Sequence, residues 1–460
     1  MDLKLVLAIL IGKTISYLNK LTGTGGTAAP GLYALKIDPD LVKKLTAKIE
    51  NGSIIISGTN GKTTTSRLAS DILKTKYSLI HNRQGSNLLR GIASTLISAS
   101  SASGNIRANL ALWEVDEATL PEAIENTNPK TIVLLNLFRD QLDRYGEVDT
   151  VRTKWLKANQ GASMSQGATL ILNADDPGVS ILAKNFKGKT IFFGVNDKKI
   201  NLPEITHVAD IRHCLNCGSK LEYTTLLSAH MGHYKCSKCD FKRPTPNVFA
   251  SELDFKSDFS SSLRLTINHS PLSINYNLPG LYNVYNVLAA TALTNSFRIV
   301  NKTINQKIES FSAAFGRFQS VQIGQKSAII FLIKNPAGAN EVIRIVATRK
   351  SINILAILND KTADGKDISW IWDTNWEILK GKTNSLSVSG TRAWDLATRL
   401  KYAGFKLNNE SVHENISSSI YSTVKNLDTK DTLLILTTYT ALLEVQDTLA
   451  KLGSPKWHEQ

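Results

Sequence analysis

A chain of 460 residues is longer than one hydrophobic core supports, so two or three domains are expected. Its 42% hydrophobic and 20% charged residues describe an ordinary soluble globular protein, one that needs no disulfide staples. The net charge of +15 points to an anionic partner (nucleic acid, acidic lipid headgroups or a phosphorylated substrate) without choosing among them, and a lysine-rich surface serving only solubility gives the same balance.

Met1 to Lys20 mixes Leu, Ile and Val with Lys4, Lys13 and Lys20 near helical spacing, which predicts an amphipathic helix packed on the core or resting on a membrane. The apolar run Leu5 to Ile11 is too short to span a bilayer, and no cleavage-site pattern follows it, so a secretory signal is not expected. Thr22 to Gly31, rich in Gly, Thr, Ala and Pro, ends this helix.

Ser53 to Ser57 reads as a short buried strand, and Gly58-Thr59-Asn60-Gly61-Lys62-Thr63-Thr64 follows as a turn opening a helix from about Thr63 to Lys74. Phosphate needs clustered backbone N–H donors, a cation and a helix N-terminus aimed at it. Gly58 and Gly61 let the backbone curl, Lys62 reaches the β- and γ-phosphates, and Thr63 or Thr64 can ligate Mg²⁺, so the turn predicts ATP binding. Strands at Ala108 to Trp113, Thr131 to Asn136 and Thr169 to Leu172 alternate with helices, which indicates an open parallel α/β sheet.

The pattern breaks near Asn201. Cys214, Cys217, Cys236 and Cys239 form two C-x2-C pairs separated by eighteen residues, the ligand spacing of one tetrahedral structural zinc, with iron as the other metal such a site takes up. His207, His213, His230 and His233 are competing ligands that this spacing does not need. These four are all the cysteines of the chain, so reduced thiolates and a cytoplasmic location are expected, and no thiol is left to act as a nucleophile. Beyond Gly316 a second α/β pattern begins, with strands at Ala328 to Ile333, Ile352 to Leu358 and Thr432 to Leu436 and helices at Gly338 to Arg349 and Ala393 to Ala403. The expected organisation is a helix and linker at 1–40, an ATP-binding domain at 41–312 with a zinc-ribbon insertion at 205–246, and a Rossmann-like α/β domain at 313–460.

The short loop G-T-N-G-K-T-T resembles that of the Mur ligase superfamily, and the segments after it continue the likeness. By that resemblance Glu114, in Trp113-Glu114-Val115-Asp116-Glu117, binds Mg²⁺ beside Thr63. Asn136 to Asp143 is similar to the family's N-x-x-x-D-H-L-D segment, with Gln141 in the histidine position, and Lys154 lies where many members carry a carbamylated lysine. Asn173 and Asp175 border the adenine, Asn283 and Asn286 match an F-N-x-x-N helix start, and Arg317 matches a hinge arginine that reaches ATP.

A four-cysteine ribbon inside such a ligase, followed by Lys334-Asn335-Pro336-Ala337-Gly338 and by Asp364-Gly365-Lys366-Asp367-Ile368-Ser369-Trp370, is similar to the branch of the superfamily that amidates lipid II. The resemblance implies ATP-dependent conversion of a stem-peptide D-glutamate to D-isoglutamine through an acyl phosphate, in the cytoplasm or at the inner membrane face. It also implies a GatD-like class I glutamine amidotransferase subunit as ammonia donor, whose catalytic triad an aspartate of this chain completes. Asp360, directly after the strand Ile352 to Leu358, is the first choice, with Asp367 and Asp373 behind it. Two alternatives stay open: a Mur or folylpolyglutamate-type ligase adding an amino acid, and a zinc-ribbon ATPase that binds nucleic acid.

Overall fold

The computed structural model describes residues 2–22, 28–83, 86–140, 148–160, 167–204, 209–312 and 318–453. Three N-terminal helices, α1 (Leu3–Thr22), α2 (Ala29–Ile37) and α3 (Leu41–Thr46), lead into the first sheet. There, β1 (Ser53–Ser57), α4 (Lys62–Leu73), β2 (Leu79–His81), α5 (Leu89–Ala99), β3 (Leu110–Glu114), α6 (Leu120–Thr127), β4 (Thr131–Leu134), α7 (Val148–Gln160), β5 (Thr169–Asn173), the short α8 (Pro177–Ser180) and β6 (Lys189–Val195) alternate along the chain. A two-stranded ribbon of β7 (Leu221–Ser228) and β8 (Met231–Cys236) follows. Antiparallel β9 (Val248–Phe255), β10 (Ser261–Ile267) and β11 (Ser270–Tyr276) then extend the sheet, and α9 (Leu281–Ser296) and α10 (Asn301–Glu309) pack on it.

The nine strands run β11-β10-β9-β6-β5-β4-β1-β3-β2. From β2 to β6 every pairing is parallel, and β1 lies between β3 and β4. That interior place explains the sequence Ser-Ile-Ile-Ile-Ser: with both faces covered, all five residues are buried and the usual alternation vanishes. Ile54 and Ile56 join the core under α4 and α9, whereas Ile55 joins the core under α1, α3 and α5.

The second sheet is built from β12 (Gln319–Ile323), β13 (Lys326–Leu332), α11 (Pro336–Val346), β14 (Ile352–Ile357), β15 (Thr383–Ser389), α12 (Ala393–Tyr402), β16 (Val412–His413), α13 (Ile416–Asn426), β17 (Thr432–Thr437) and α14 (Tyr439–Lys451). Its order is β12-β13-β17-β14-β15-β16, parallel apart from the β12–β13 hairpin. Asn335 starts α11 by accepting from Gly338 N at 2.8 Å, with Pro336 in the first turn where a missing N–H costs nothing. This places the N-terminus of α11 against the β1–α4 turn of the first sheet: Asn335 Nδ2 donates to Asn60 Oδ1 at 3.1 Å.

Candidate active site

The β1–α4 turn is pinned from the β4 side. Asn60 N donates to Asn136 Oδ1 at 2.8 Å, and Asn136 Nδ2 returns a bond to Asn60 O at 3.0 Å. Thr59 Oγ1 donates to Phe138 O and accepts from Phe138 N. Glycine is required at two places: Gly58 has φ 140° and a Cβ there would meet Asn136 O at 2.9 Å, while at Gly61, φ 91°, it would meet Asn286 Oδ1 at 2.2 Å. α4 begins at Lys62 directly after Gly61, which has no side chain to cap it, and its N-terminus faces the turn as helix N-termini do at anion sites.

Two carboxylates converge on the start of α4. Glu114, the last residue of β3, accepts from Thr63 Oγ1 at 2.8 Å and from Ser66 Oγ at 3.2 Å. β3 neighbours β1 in register Ile56↔Glu114, and this register brings the carboxylate to the phosphate turn. The adjacent hard oxygens of Thr63 and Glu114 suit Mg²⁺.

Glu117 is the residue that the sequence reading passed over. Its Oε2 lies 2.7 Å from Lys62 Nζ, which also donates to Gly58 O at 2.6 Å. Burial alone would lower the pKa of Lys62, but the charges of Glu117, Asp116 and Glu114 outweigh it and hold the ammonium above its ordinary value. Burial likewise opposes ionisation of Glu117, and Lys62 and Lys334 overcome it, so its pKa falls below the carboxylate norm. The pair is therefore charged at neutral pH.

Between the turn and α11 opens a cleft lined by Asn60, Gly61, Thr64, Asn136, Phe138, Met231, Tyr282 and Lys334 among others. Met231 and Ser228 come from the ribbon, so the cysteine module forms a wall of this cleft. Ser228 Oγ donates to Glu341 Oε1 at 2.7 Å and Arg344 donates to Leu227 O at 3.1 Å, tying the ribbon to α11.

Residues assigned to the adenine by resemblance are engaged by the fold itself. Asp175 is fully buried, paired with Arg243 and accepting from Tyr285 Oη at 2.8 Å and Val195 N at 2.7 Å. Asn173 donates to Leu135 O at 2.9 Å and accepts from Asp175 N at 3.0 Å. Asn283 donates to Pro279 O and accepts from Asn286, which in turn receives Thr65 Oγ1. Lys154 is exposed on α7, outside the buried cluster, while its neighbour Trp155 turns inward to donate to Glu117 O at 2.7 Å. Gln141, Asp143, His207 and Arg317 lie outside the described residues.

The sulfurs of Cys214, Cys217, Cys236 and Cys239 lie within 4.8 Å of one another and form no disulfide. Asn216 N and Lys238 N donate to the sulfurs of Cys214 and Cys236 at 3.4 and 3.3 Å, one such bond in each C-x2-C knuckle. This donor set fits one tetrahedral metal of the zinc class with no position left open. His213, His230 and His233 are outside the cluster; His230 is buried at the hairpin turn between β7 and β8, against Phe138.

On the second sheet, Asp360 follows β14 at the carboxyl edge. Its Oδ1 accepts from Thr391 Oγ1 at 3.0 Å, its Oδ2 is 4.0 Å from Arg392 Nε, and the side chain is 25% exposed. Asp367 caps Ser369 N, and Asp373 pairs with Arg139 at 3.5 Å. Asp364 is buried and accepts from Thr440 N at 2.8 Å.

Comparison with known proteins agrees with this architecture. Residues 56–237 match the Mur ligase middle domain and residues 332–442 the MurT ligase C-terminal family. The chain is 34% identical over 447 residues to the lipid II isoglutaminyl synthase (glutamine-hydrolyzing) subunit MurT of Staphylococcus aureus (strain COL), covering 96% of this chain and 97% of that protein. To the subunit of the same name from Streptococcus pneumoniae it is 32% identical over 458 residues, 98% of each. Among solved structures, a pseudomurein peptide ligase type C from Methanothermus fervidus superposes with TM-score 0.66 at 22% identity, covering 89% of this chain and 80% of that one. MurF ligase from Thermotoga maritima in complex with ADP superposes with TM-score 0.64 at 11% identity, covering 91% and 84%. The structural matches show a Mur ligase-like fold, and the sequence similarity, sustained through both sheets and the ribbon between them, means that this chain belongs to the MurT family of ligases.

Proposed function

We propose that this chain is the synthetase subunit of a lipid II isoglutaminyl synthase, amidating the α-carboxyl of D-glutamate in the lipid II stem peptide at the expense of ATP. A carboxylate does not react with ammonia at neutral pH because its leaving group would be oxide or hydroxide. An oxygen of the substrate carboxylate attacks the γ-phosphorus of ATP, and the bond to the β-γ bridging oxygen breaks to release ADP. Ammonia then adds to the acyl phosphate carbon, loses a proton, and inorganic phosphate departs to leave the amide.

The turn from Gly58 to Thr64 binds the phosphates and Lys62 balances charge that develops on them, work that is mostly positioning and electrostatics. Magnesium, held by Thr63 and Glu114, would neutralise charge on the phosphate oxygens. The fold of this family's relatives accommodates ADP, as in the Thermotoga maritima MurF complex. Zinc in the four-thiolate cluster would hold the ribbon wall of the cleft.

One observation carries the assignment: all four cysteines are gathered in the ribbon cluster, so the chain that holds the phosphate turn keeps no thiolate for glutamine hydrolysis. The ammonia comes from a separate GatD-like glutaminase, whose catalytic histidine Asp360 orients. The ribbon's Tyr223, Tyr234 and Phe241 pack on one another rather than forming a base-stacking platform, which disfavours the nucleic-acid alternative. Amide formation on lipid II should require ATP, proceed with ammonium chloride when the chain is alone, and proceed with glutamine only when the glutaminase is added. Glutamine hydrolysis by the chain alone, or no ATP-dependent amide under either condition, would reject the proposal.

A further inference from the structure

Helix α1 has two apolar faces. One packs on the protein: Leu5, Ala8, Ile9 and Gly12 are buried, Gly12 lies against Ile97 of α5, and Lys13 Nζ donates to Ser100 O at 2.6 Å. The other faces solvent, with Leu3, Leu7, Leu10, Tyr17, Leu18 and Leu21 between 45% and 75% exposed. At 3.6 residues per turn these six fall within an arc of roughly 100°, opposite the buried four. A single exposed leucine needs no explanation, but a stripe running the length of a five-turn helix does.

The charges of α1 are Lys4, Lys13 and Lys20, placed at the margins of the stripe, and the helix carries no acid. Exposed Leu32 and Tyr33 of α2 add to the apolar surface. We propose that this face rests on an anionic lipid bilayer, with its leucines at the acyl boundary and the exposed Lys4 and Lys20 among the headgroups. Length and a mean hydropathy of 1.3 would allow α1 to span a bilayer, but its buried face and the Lys13 bond hold it to the domain, so it lies along the surface.

Gly104, beyond the end of α5, lies against Leu5 and Ile9, and Gly12 lies against Ile97, so the buried face of α1 sits on the C-terminal end of α5. A substrate anchored in the same bilayer is what such a surface would serve; this use, unlike the surface itself, rests on the proposed function.

The test is flotation of the full-length, metal-loaded chain with phosphatidylcholine vesicles, with and without about a quarter of phosphatidylglycerol, in the absence of ATP and substrate. Binding is expected to the anionic vesicles, weakening severalfold without phosphatidylglycerol or at high salt. Leu10→Glu/Leu18→Glu should lower partitioning at least tenfold with an unchanged melting temperature, since both side chains are exposed. Leu7→Ser/Leu21→Ser is the milder second variant and should act in the same direction. No flotation of the wild type, or a dimer or glutaminase complex that covers this face and is broken by the same substitutions, would overturn the proposal. Flotation without any amidation activity would support the surface and count against the proposed function instead.

Discussion

Lys62 Nζ and Glu117 Oε2 are 2.7 Å apart, and the two side chains are only 8% and 5% exposed. The cation of the phosphate turn is thus held by an internal carboxylate as well as by Gly58 O. Phosphate binding supplies the negative charge that Glu117 supplies without it. Removing one partner of a buried pair typically costs about 3–5 kcal/mol, and glutamine, which keeps an acceptor, should sit at the low end. Glu117→Gln should therefore melt at a lower temperature than wild type and be stabilised more by a non-hydrolysable ATP analogue, whose phosphates compensate Lys62. Thermal shifts with and without the analogue measure this. Equal shifts in the two proteins would mean that nucleotide leaves the pair intact.

Glu114 should behave differently. In Glu114→Gln an amide oxygen can still accept from Thr63 and Ser66, so stability is expected to hold, while the charge that draws a divalent cation is lost. Amidation should fall by about 10²–10³-fold, comparable to removing one preorganised electrostatic contact, and the magnesium concentration for half-maximal rate should rise. A magnesium titration of wild type and variant checks both.

The four cysteines sit on the module whose hairpin walls the cleft, so a metal held there would couple to nucleotide binding. Cys236→Ser removes a buried ligand, and structural zinc supplies on the order of 10 kcal/mol to small modules of this kind. The variant should lose its metal and unfold the ribbon. Because Met231 and Ser228 line the cleft, ATP affinity should drop roughly tenfold or more, the equivalent of a lost apolar contact or two. Metal content by mass and ATP binding by calorimetry should fall together.

How much of this was readable in the sequence depended on the range of the interactions involved. The phosphate turn was readable because its glycines are demanded locally, and β1 because a strand covered on both faces shows as an unbroken apolar run. Glu117 was not: Glu114, Asp116 and Glu117 crowd one short segment, and which carboxylate meets Lys62 depends on how the chain turns after β3. Asp175, which the resemblance sets beside the adenine, bonds Val195, Arg243 and Tyr285, residues 20, 68 and 110 positions away, and such contacts are invisible to a local reading. The spacing of the four cysteines announced their clustering in a ribbon but could not announce that its hairpin would wall the cleft beside the turn. For α1 the helix was readable, and the structure assigns it both apolar roles, one to the core and one to the surface.

His81, at the end of β2, has both ring nitrogens buried without a hydrogen-bond partner among the described residues. Burial, and after it the charges of Arg83, Lys74 and Arg67, pushes its pKa from 6.5 to about 3. Between those values the unfolded chain holds a proton that the folded chain excludes, so stability is intact above the unfolded pKa and falls as pH drops through the window. From pH 7 to pH 5 the loss should be on the order of 2 kcal/mol. His81→Gln, which does not titrate, should flatten this part of the curve. Urea midpoints at the two pH values, compared between the proteins, give the answer.

Asp360 tests the division of labour with the glutaminase. Thr391 Oγ1 holds Oδ1 and fixes the carboxylate, while Oδ2 is left near Arg392 at a distance too long for a hydrogen bond, on a side chain that solvent still reaches. A carboxylate so placed can accept the N–H of a histidine brought by another subunit, which the buried Asp364, bonded to Thr440, is poorly placed to do. Asp360→Asn keeps the shape and the Thr391 contact but removes the charge that fixes the histidine tautomer, a change worth up to about 10⁴-fold in a hydrolytic triad. Glutamine-dependent amidation by the complex should collapse, while amidation supported by ammonium chloride should stay within about twofold, because the phosphate site lies on the other sheet. If both activities fall together, Asp360 serves the synthetase half; if neither falls, the third triad member comes from elsewhere, and Asp367 and Asp373 are the next to replace.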